Sequence, residues 1–233
     1  MLIYKFNEKL IPATFVRRIN KFLVEVNIEG EIEECHLHDP GRLEKLLKSN
    51  RKLLLLRKEG KRKTKYDVIA VFKNEWVLIH SGYHSMLAEQ ILKNKLMDEL
   101  KEYSIIRKEF KYGKSRIDFL LSNAKKCLVE VKGCTLVEKN IALFPDAPTK
   151  RGTKHVLELV KARRHGYNAA IIFLIMLSAK SFSPNSKIDK DFSQAMEKAR
   201  DAGVKIIACR IKFDGRNIYY GGRIPVSIAP SRL

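Results

Sequence analysis

Hydrophobic and polar positions alternate with a period of two through the first third of the chain. Phe15 is followed by Phe22, Val24 and Val26 on one strand face, and Gly30 marks a turn between Ile28 and Ile32. The run His36-Leu-His-Asp-Pro-Gly interrupts this alternation. Pro40 and Gly41 end the strand, and residues 42–47 are expected to form a short helix with Leu43, Leu46 and Leu47 on one side. Further strands are predicted over 52–57, 66–72 and 75–80, with Asn74 in a tight turn. About five short strands and one small helix fit an OB-like β-barrel, although another small barrel would leave the same pattern.

Around Ser81 and Gly82 the period lengthens to between three and four, which places a domain boundary there: residues 1–82, then 83–233. A helix is expected from about residue 85 to 100, with Glu89 in line with Leu92, Leu96 and Leu100. Strands follow at 105–112, 116–121 and 127–133. A loop over 143–155 leads into a helix that Thr153 can cap and that carries Val156, Leu159, Val160 and Arg163. Residues 169–177 are uniformly apolar, as in a buried central strand. A last helix over 189–202, ended by Gly203, precedes a strand over 204–211, and Pro-Ser-Arg-Leu at 230–233 reads as a short tail. The expected class is α+β, a barrel followed by a mixed-sheet domain with the order α-β-β-β-α-β-α-β.

The most informative stretch is 115–132. Ile117, Phe119 and Leu121 alternate with Asp118, and Cys127, Val129 and Val131 alternate with Glu130 and Lys132, which predicts a hairpin with one apolar and one charged face on each strand. Pairing Leu121 with Cys127 sets Asp118 opposite Glu130 and Arg116 opposite Lys132, because a slip of one residue would turn one strand over. Facing carboxylates repel unless a cation lies between them, and two carboxylates with water suit Mg²⁺ or Mn²⁺. Lys132 could then hold a water or a transition-state phosphate. The competing reading is a surface hairpin whose carboxylates are neutralised by Arg116 and Lys132.

Composition adds a partner. The chain has 46 Lys and Arg against 26 Asp and Glu, a formal net charge of +20, which points to a polyanion, with DNA first. In the barrel, Arg17, Arg18, Lys21, Arg62, Lys63 and Lys65 are interleaved with Phe15, Phe22 and Tyr66, a combination suited to tracking a backbone and stacking on bases. Lys150, Arg151, Lys154 and His155 crowd a helix N-terminus, where phosphate is already favoured. No stretch reaches the ~18 apolar residues of a spanning helix, and no signal peptide is read, so the expected setting is the cytoplasm without a membrane partner. Four scattered cysteines without a C-x-x-C pair are expected to be free thiols. His36 and His38 share a strand face, but no third metal ligand is evident in the sequence, which favours ordinary hydrogen-bonding histidines.

The segments RRINKFLVEV, CHLHDPGRLEKLL, YGKSRIDFLL, LVEVKGCTL and ALFPDAPTKRGTKH together resemble the sugar fermentation stimulation (SfsA) family over nearly the whole chain. The resemblance implies an N-terminal OB-like barrel and a C-terminal domain of the PD-(D/E)XK nuclease type. It also implies that Asp118 and Glu130 are metal ligands, that Lys132 is the catalytic lysine and that Glu89 is a supporting carboxylate from the first helix, with a salt bridge to a neighbouring Lys or Arg as the alternative for Glu89. Asp146, in a literal Pro-Asp, is left as a loop residue or supplementary ligand. Two functions follow: a Mg²⁺- or Mn²⁺-dependent DNA endonuclease or exonuclease with little sequence specificity, or a non-catalytic DNA-binding regulator of sugar catabolism. A homodimer is compatible with either.

Overall fold

A computed structural model describes residues 1–228, so the expected tail at 230–233 lies outside the described residues. The chain forms two compact units, Met1–Tyr83 with Ile211–Gly221, and His84–Arg210 with the residues from Gly222 onward.

The first unit is built on β1 (Leu2–Lys5), β2 (Ile11–Asn20), β3 (Leu23–Ile28), β4 (Glu31–His36), β5 (Lys52–Arg57), β6 (Tyr66–Lys73) and β7 (Glu75–Leu78). Strands β4, β3, β2, β5 and β6 pair in that order, and β4 closes on β6 through Cys35↔Tyr66 and His36↔Asp67, giving a five-stranded barrel. Glu29 and Gly30 both take positive φ, 52° and 101°, the turn that lets β3 and β4 form a two-residue hairpin. Alternation puts Phe15, Val24, Val26, Cys35 and Leu53 inside. Residues 42–47 form turns instead of the expected helix. Leu43 takes φ 53°, and the amides of Leu46 and Leu47 both bond its carbonyl, while the Leu43 and Leu46 side chains are buried.

In the second unit, α1 (His84–Lys93) is followed by β8 (Ser104–Tyr112), β9 (Ser115–Ser122) and β10 (Lys126–Cys134). Helix α1 is shorter than its apolar spacing implied. Lys95 turns to φ 55° and the Leu96 amide bonds the Ile91 carbonyl, which ends the helix before Leu96 and Leu100. Next come β11 (Leu136–Glu138), β12 (Ile141–Phe144), α2 (Lys150–Arg164), β13 (Asn168–Ile175), β14 (Ser181–Pro184), α3 (Lys190–Asp201) and β15 (Lys205–Phe213). Strands β8, β9 and β10 are antiparallel neighbours, and β10, β13 and β15 run parallel, so the sheet is mixed. The apolar run over 169–177 does form the central strand: every residue of β13 after Asn168 is buried. Helices α2 and α3 cover it with Val156, Leu159, Phe192 and Met196. Strands β11, β12 and β14 form a small separate sheet, and the end of β12 takes the first two residues of the loop expected over 143–155.

Thr149 caps α2, accepting from the Gly152 amide, so the helix starts a turn before the expected cap at Thr153. Asp189 serves two helix starts. Its Oδ1 accepts from the Phe192 amide at the head of α3, and its Oδ2 accepts from the Thr149 amide ahead of α2.

The last strand, β16 (Asn217–Ile224), pairs antiparallel with β1 through Leu2↔Tyr219 and Tyr4↔Ile218. Residues 211–221 therefore group with the first unit, whereas the sequence reading assigned them to the second. Among the described residues no helix is long and apolar enough to cross a membrane, and all four cysteines are buried and outside any disulfide.

Candidate functional site

The predicted hairpin register is present: Cys127 pairs with Leu121, Leu128 with Leu120 and Val129 with Phe119. At the next step the two main chains stop exchanging bonds. The Asp118 carboxylate enters instead, its Oδ2 accepting from the Val131 amide at 2.6 Å. The ladder does not reach Arg116 and Lys132 as a facing pair. Arg116 pairs across β8 with Lys111, and its side chain is exposed beside Glu109.

The charged face of β10 is not a surface. Because β10 lies between β9 and β13, with Glu130 next to Ile171, Glu130 is only 2% exposed. Its Oε1 takes a bond from the Lys132 ammonium and lies 2.5 Å from His155 Nδ1, while Oε2 is buried with no hydrogen-bond partner among the described residues. A buried carboxylate oxygen left unpaired costs roughly 1–3 kcal/mol or more, so such an atom calls for an explanation.

The two acids are driven apart in pKa. Burial, then the neighbouring Glu130 charge, pushes the Asp118 carboxyl up to about 7. Burial would raise Glu130 as well, but the His155 hydrogen bond and then the Lys132 charge outweigh it and hold Glu130 below the ordinary carboxylate range.

His155 corrects the sequence reading. The sequence groups it with Lys150, Arg151 and Lys154 as a nucleic-acid contact, yet it is 5% exposed and belongs to the buried carboxylate cluster. With α2 starting at Lys150, His155 lies well inside the helix and faces inward, one helical turn ahead of Leu159 on the apolar stripe. That spacing of four is the signal that could have found it. Glu89 does not join the cluster. Its oxygens are held by Lys93 at 2.8 Å and Lys108 at 2.9 Å, and those bonds, Lys93 first, lower its pKa. The salt-bridge alternative is the one observed.

The basic residues divide by what already holds them. Arg17 makes a two-pronged bond to Glu25, and Arg18 donates to the carbonyls of Asn20, Lys21, Gly41 and Arg42, fastening a loop. Arg62 is committed to Asp67 at 2.5 Å and Lys65 to Glu33 at 3.2 Å. Lys21 lies over the ring of Phe22, which is 47% exposed, whereas Phe15 is core. Lys63, Lys150 and Arg151 are exposed, and Lys154 reaches the Lys114 carbonyl. His38 does acquire the neighbours that the sequence did not reveal, Asp67 and His80. A clue was available, since Asp67 is a lone acid in the apolar run of β6 and such a residue needs partners.

A closed OB-type barrel joined to a mixed-sheet domain, with an Asp-Glu-Lys set at the point where β9 and β10 part, defines the class of protein. The chain belongs to the sugar fermentation stimulation protein (SfsA) family: the SfsA N-terminal OB domain matches residues 16–79 and the sugar fermentation stimulation protein RE domain matches residues 82–217. A sugar fermentation stimulation protein homolog of Methanothermobacter thermautotrophicus is 44% identical over 92% of this chain and 91% of its own length. Another, from Saccharolobus solfataricus, is 41% identical over 96% and 88%. The structure of Pyrococcus furiosus SfsA in complex with Ca²⁺ superimposes with a TM-score of 0.91 at 31% identity, covering 98% of this chain and 100% of that one.

Proposed function

We propose that this protein binds DNA with little sequence preference and that its second unit is a PD-(D/E)XK-type site for divalent-metal-dependent phosphodiester hydrolysis. The observation that carries the reading is the buried, unpartnered Glu130 Oε2 beside an Asp118 carboxyl that resists ionisation. Two carboxylates in that state fit a hard divalent cation, Mg²⁺ or Mn²⁺, which Asp118 and Glu130 would hold. The Ca²⁺ complex of the Pyrococcus furiosus relative supports an oxygen-ligand cation of this kind. When bound, the cation neutralises the pair and polarises a phosphoryl oxygen.

The chain's own residues supply the rest. Val131 N–H fixes the Asp118 carboxylate, and His155 fixes Glu130 from the helix side. Lys132, bonded to Glu130, has its side chain 16% exposed, so its ammonium can turn towards an attacking water or a scissile phosphate. The excess of positive charge favours a DNA partner, and the exposed Lys63, Lys150 and Arg151 are suited to phosphate contacts.

The test incubates the purified protein with linear, nicked, branched and single-stranded DNA in Mg²⁺ or Mn²⁺, beside Lys132→Ala and Asp118→Asn proteins purified identically. Cleavage by the unaltered protein alone, with DNA binding retained in Lys132→Ala, is expected. If no protein cuts, or all cut equally, the hydrolase reading fails and the non-catalytic DNA-binding regulator replaces it.

A further inference from the structure

A second cluster lies at the seam where the barrel closes. Asp67 stands at the start of β6, opposite His36 of β4, and its carboxylate is 3% exposed as a residue. Arg62 donates to Oδ1 at 2.5 Å, while Oδ2 faces two imidazoles, with His38 Nε2 at 3.1 Å and His80 Nε2 at 3.8 Å. The two rings stack with centroids 3.8 Å apart and 25° between planes, so both nitrogens are presented to the same oxygen. His38 Nε2 is close to Oδ2 but off the line of a hydrogen bond, and it is buried without a hydrogen-bond partner among the described residues.

One donor atom from each of His38, Asp67 and His80 lies within 4.8 Å of the other two. Donors about 2.0–2.2 Å from a tetrahedral ion are roughly 3–4 Å from one another, so little contraction is needed. Two imidazoles and one carboxylate differ in chemistry from the all-oxygen pair of Asp118 and Glu130. Imidazole selects borderline ions, and a two-histidine, one-carboxylate set is a known ligand combination for them. Ligation needs neutral imidazole, the form that histidine takes above its ordinary pKa of about 6.5. Arg62 orients the carboxylate from behind, as residues behind metal ligands commonly do. Gly82 leaves room for the His80 ring, because a Cβ there would stand 2.9 Å from Cε1.

We propose that His38, Asp67 and His80 form a binding site for a borderline divalent transition cation, with Zn²⁺ as its reference occupant. The ligating His38 Nε2 is itself buried, and Asp67 and His80 are 3% and 7% exposed, so the ion is enclosed by its ligands. The ligands come from the residues just after β4, the start of β6 and the residues after β7, so the ion ties together the strands that close the barrel. Its primary effect is on the stability of the first unit.

The experiment uses untagged full-length protein, stripped with a chelator that is then removed, in an Asp118→Asn/Glu130→Gln background that silences the other carboxylates. Zn²⁺ is titrated in competition with a chromophoric chelator, Co²⁺ is followed by visible absorption, and thermal unfolding is recorded with and without Zn²⁺. The expected result is a single equivalent of tightly bound Zn²⁺, nitrogen ligation in the X-ray absorption spectrum, and a higher Tm that excess Mg²⁺ does not reproduce. His38→Ala, at a partly exposed position, and His80→Gln should each weaken Zn²⁺ binding by about tenfold or more. Their circular dichroism reports whether the fold is kept, and the spectra of the parent protein decide the matter if it is not. Absence of Zn²⁺ binding, oxygen-only ligation, or equal affinity in the folded histidine variants overturns the proposal.

Discussion

His155 Nδ1 and Glu130 Oε1 are 2.5 Å apart in the interior of the second unit, and this contact joins helix α2 to strand β10. It keeps a 2%-exposed carboxylate ionised where burial would otherwise neutralise it.

Replacing His155 with Ala should therefore destabilise the protein by about 1–3 kcal/mol or more at neutral pH, the usual cost of leaving a buried hydrogen-bonding group without its partner. Glu130 is depressed in the folded state, so its contribution is present above the unfolded carboxylate value of 4.5 and is lost as pH falls through the lower folded value. Urea unfolding across the acid range should show a shallower acid dependence in His155→Ala than in the unaltered protein. Parallel curves would contradict this account of the pair.

Asp118 has the opposite sign. Its folded pKa of about 7 exceeds the unfolded value of 3.8, so its stabilising share is complete below 3.8 and vanishes as pH rises through about 7. Without metal, Asp118→Asn should be more stable than the unaltered protein by the order of 2 kcal/mol at pH 8, with the gap closing near pH 4. The Asn carbonyl can still accept the Val131 amide. Added Mg²⁺ should stabilise only the protein that keeps both carboxylates. Denaturant curves at the two pH values, with and without Mg²⁺, check all of this.

Gly133 is the place where β10 meets the His84 ring of α1. A Cβ added there would lie 2.0 Å from Cε1 and 2.5 Å from Nε2, so Gly133→Ala should cost about 1–3 kcal/mol through overpacking. Combining it with His84→Ala removes the clash, and the double variant should be more stable than the sum of the single effects. Strict additivity in thermal unfolding would show that the ring simply moves aside.

Affinity for duplex DNA should fall steeply with salt. Each phosphate contact removed should lower the slope of log K against log salt by about 0.9. Lys150→Ala and Arg151→Ala should each do so, and Arg17→Ala should not, because its guanidinium is already neutralised by Glu25. Fluorescence anisotropy over a salt series measures the slopes, and a flat series would remove the electrostatic argument for DNA.

Local periodicity made some of this legible. The register Leu121↔Cys127 follows from alternation within one hairpin, and the cap and stripe of α3 lie in adjacent residues. What escaped depends on contacts far apart in sequence. Glu130 reads as surface charge until β13, some forty residues later, covers its strand. A cap at Thr153 puts His155 in the first turn among the exposed cations, whereas the cap at Thr149 sets it more than a turn into the helix, on the same apolar face as Leu159. Asp67 and His80 complete the surroundings of His38 only through barrel closure, which no local window contains. For Glu89 the sequence leaves a supporting role and a salt bridge open, and its oxygens are held by Lys93 from its own helix and Lys108 from β8.

The pairing of β1 with β16 has a consequence for biosynthesis. Strand β16, the partner of β1, is translated only after the whole α2–β13–α3 segment that lies between them. The barrel strands can assemble early, but β1 must wait, its edge open to misdirected pairing, until residue 217 and beyond emerge. A nascent chain halted after Tyr83 would carry that edge exposed, and a chaperone that covers extended segments would find its substrate there.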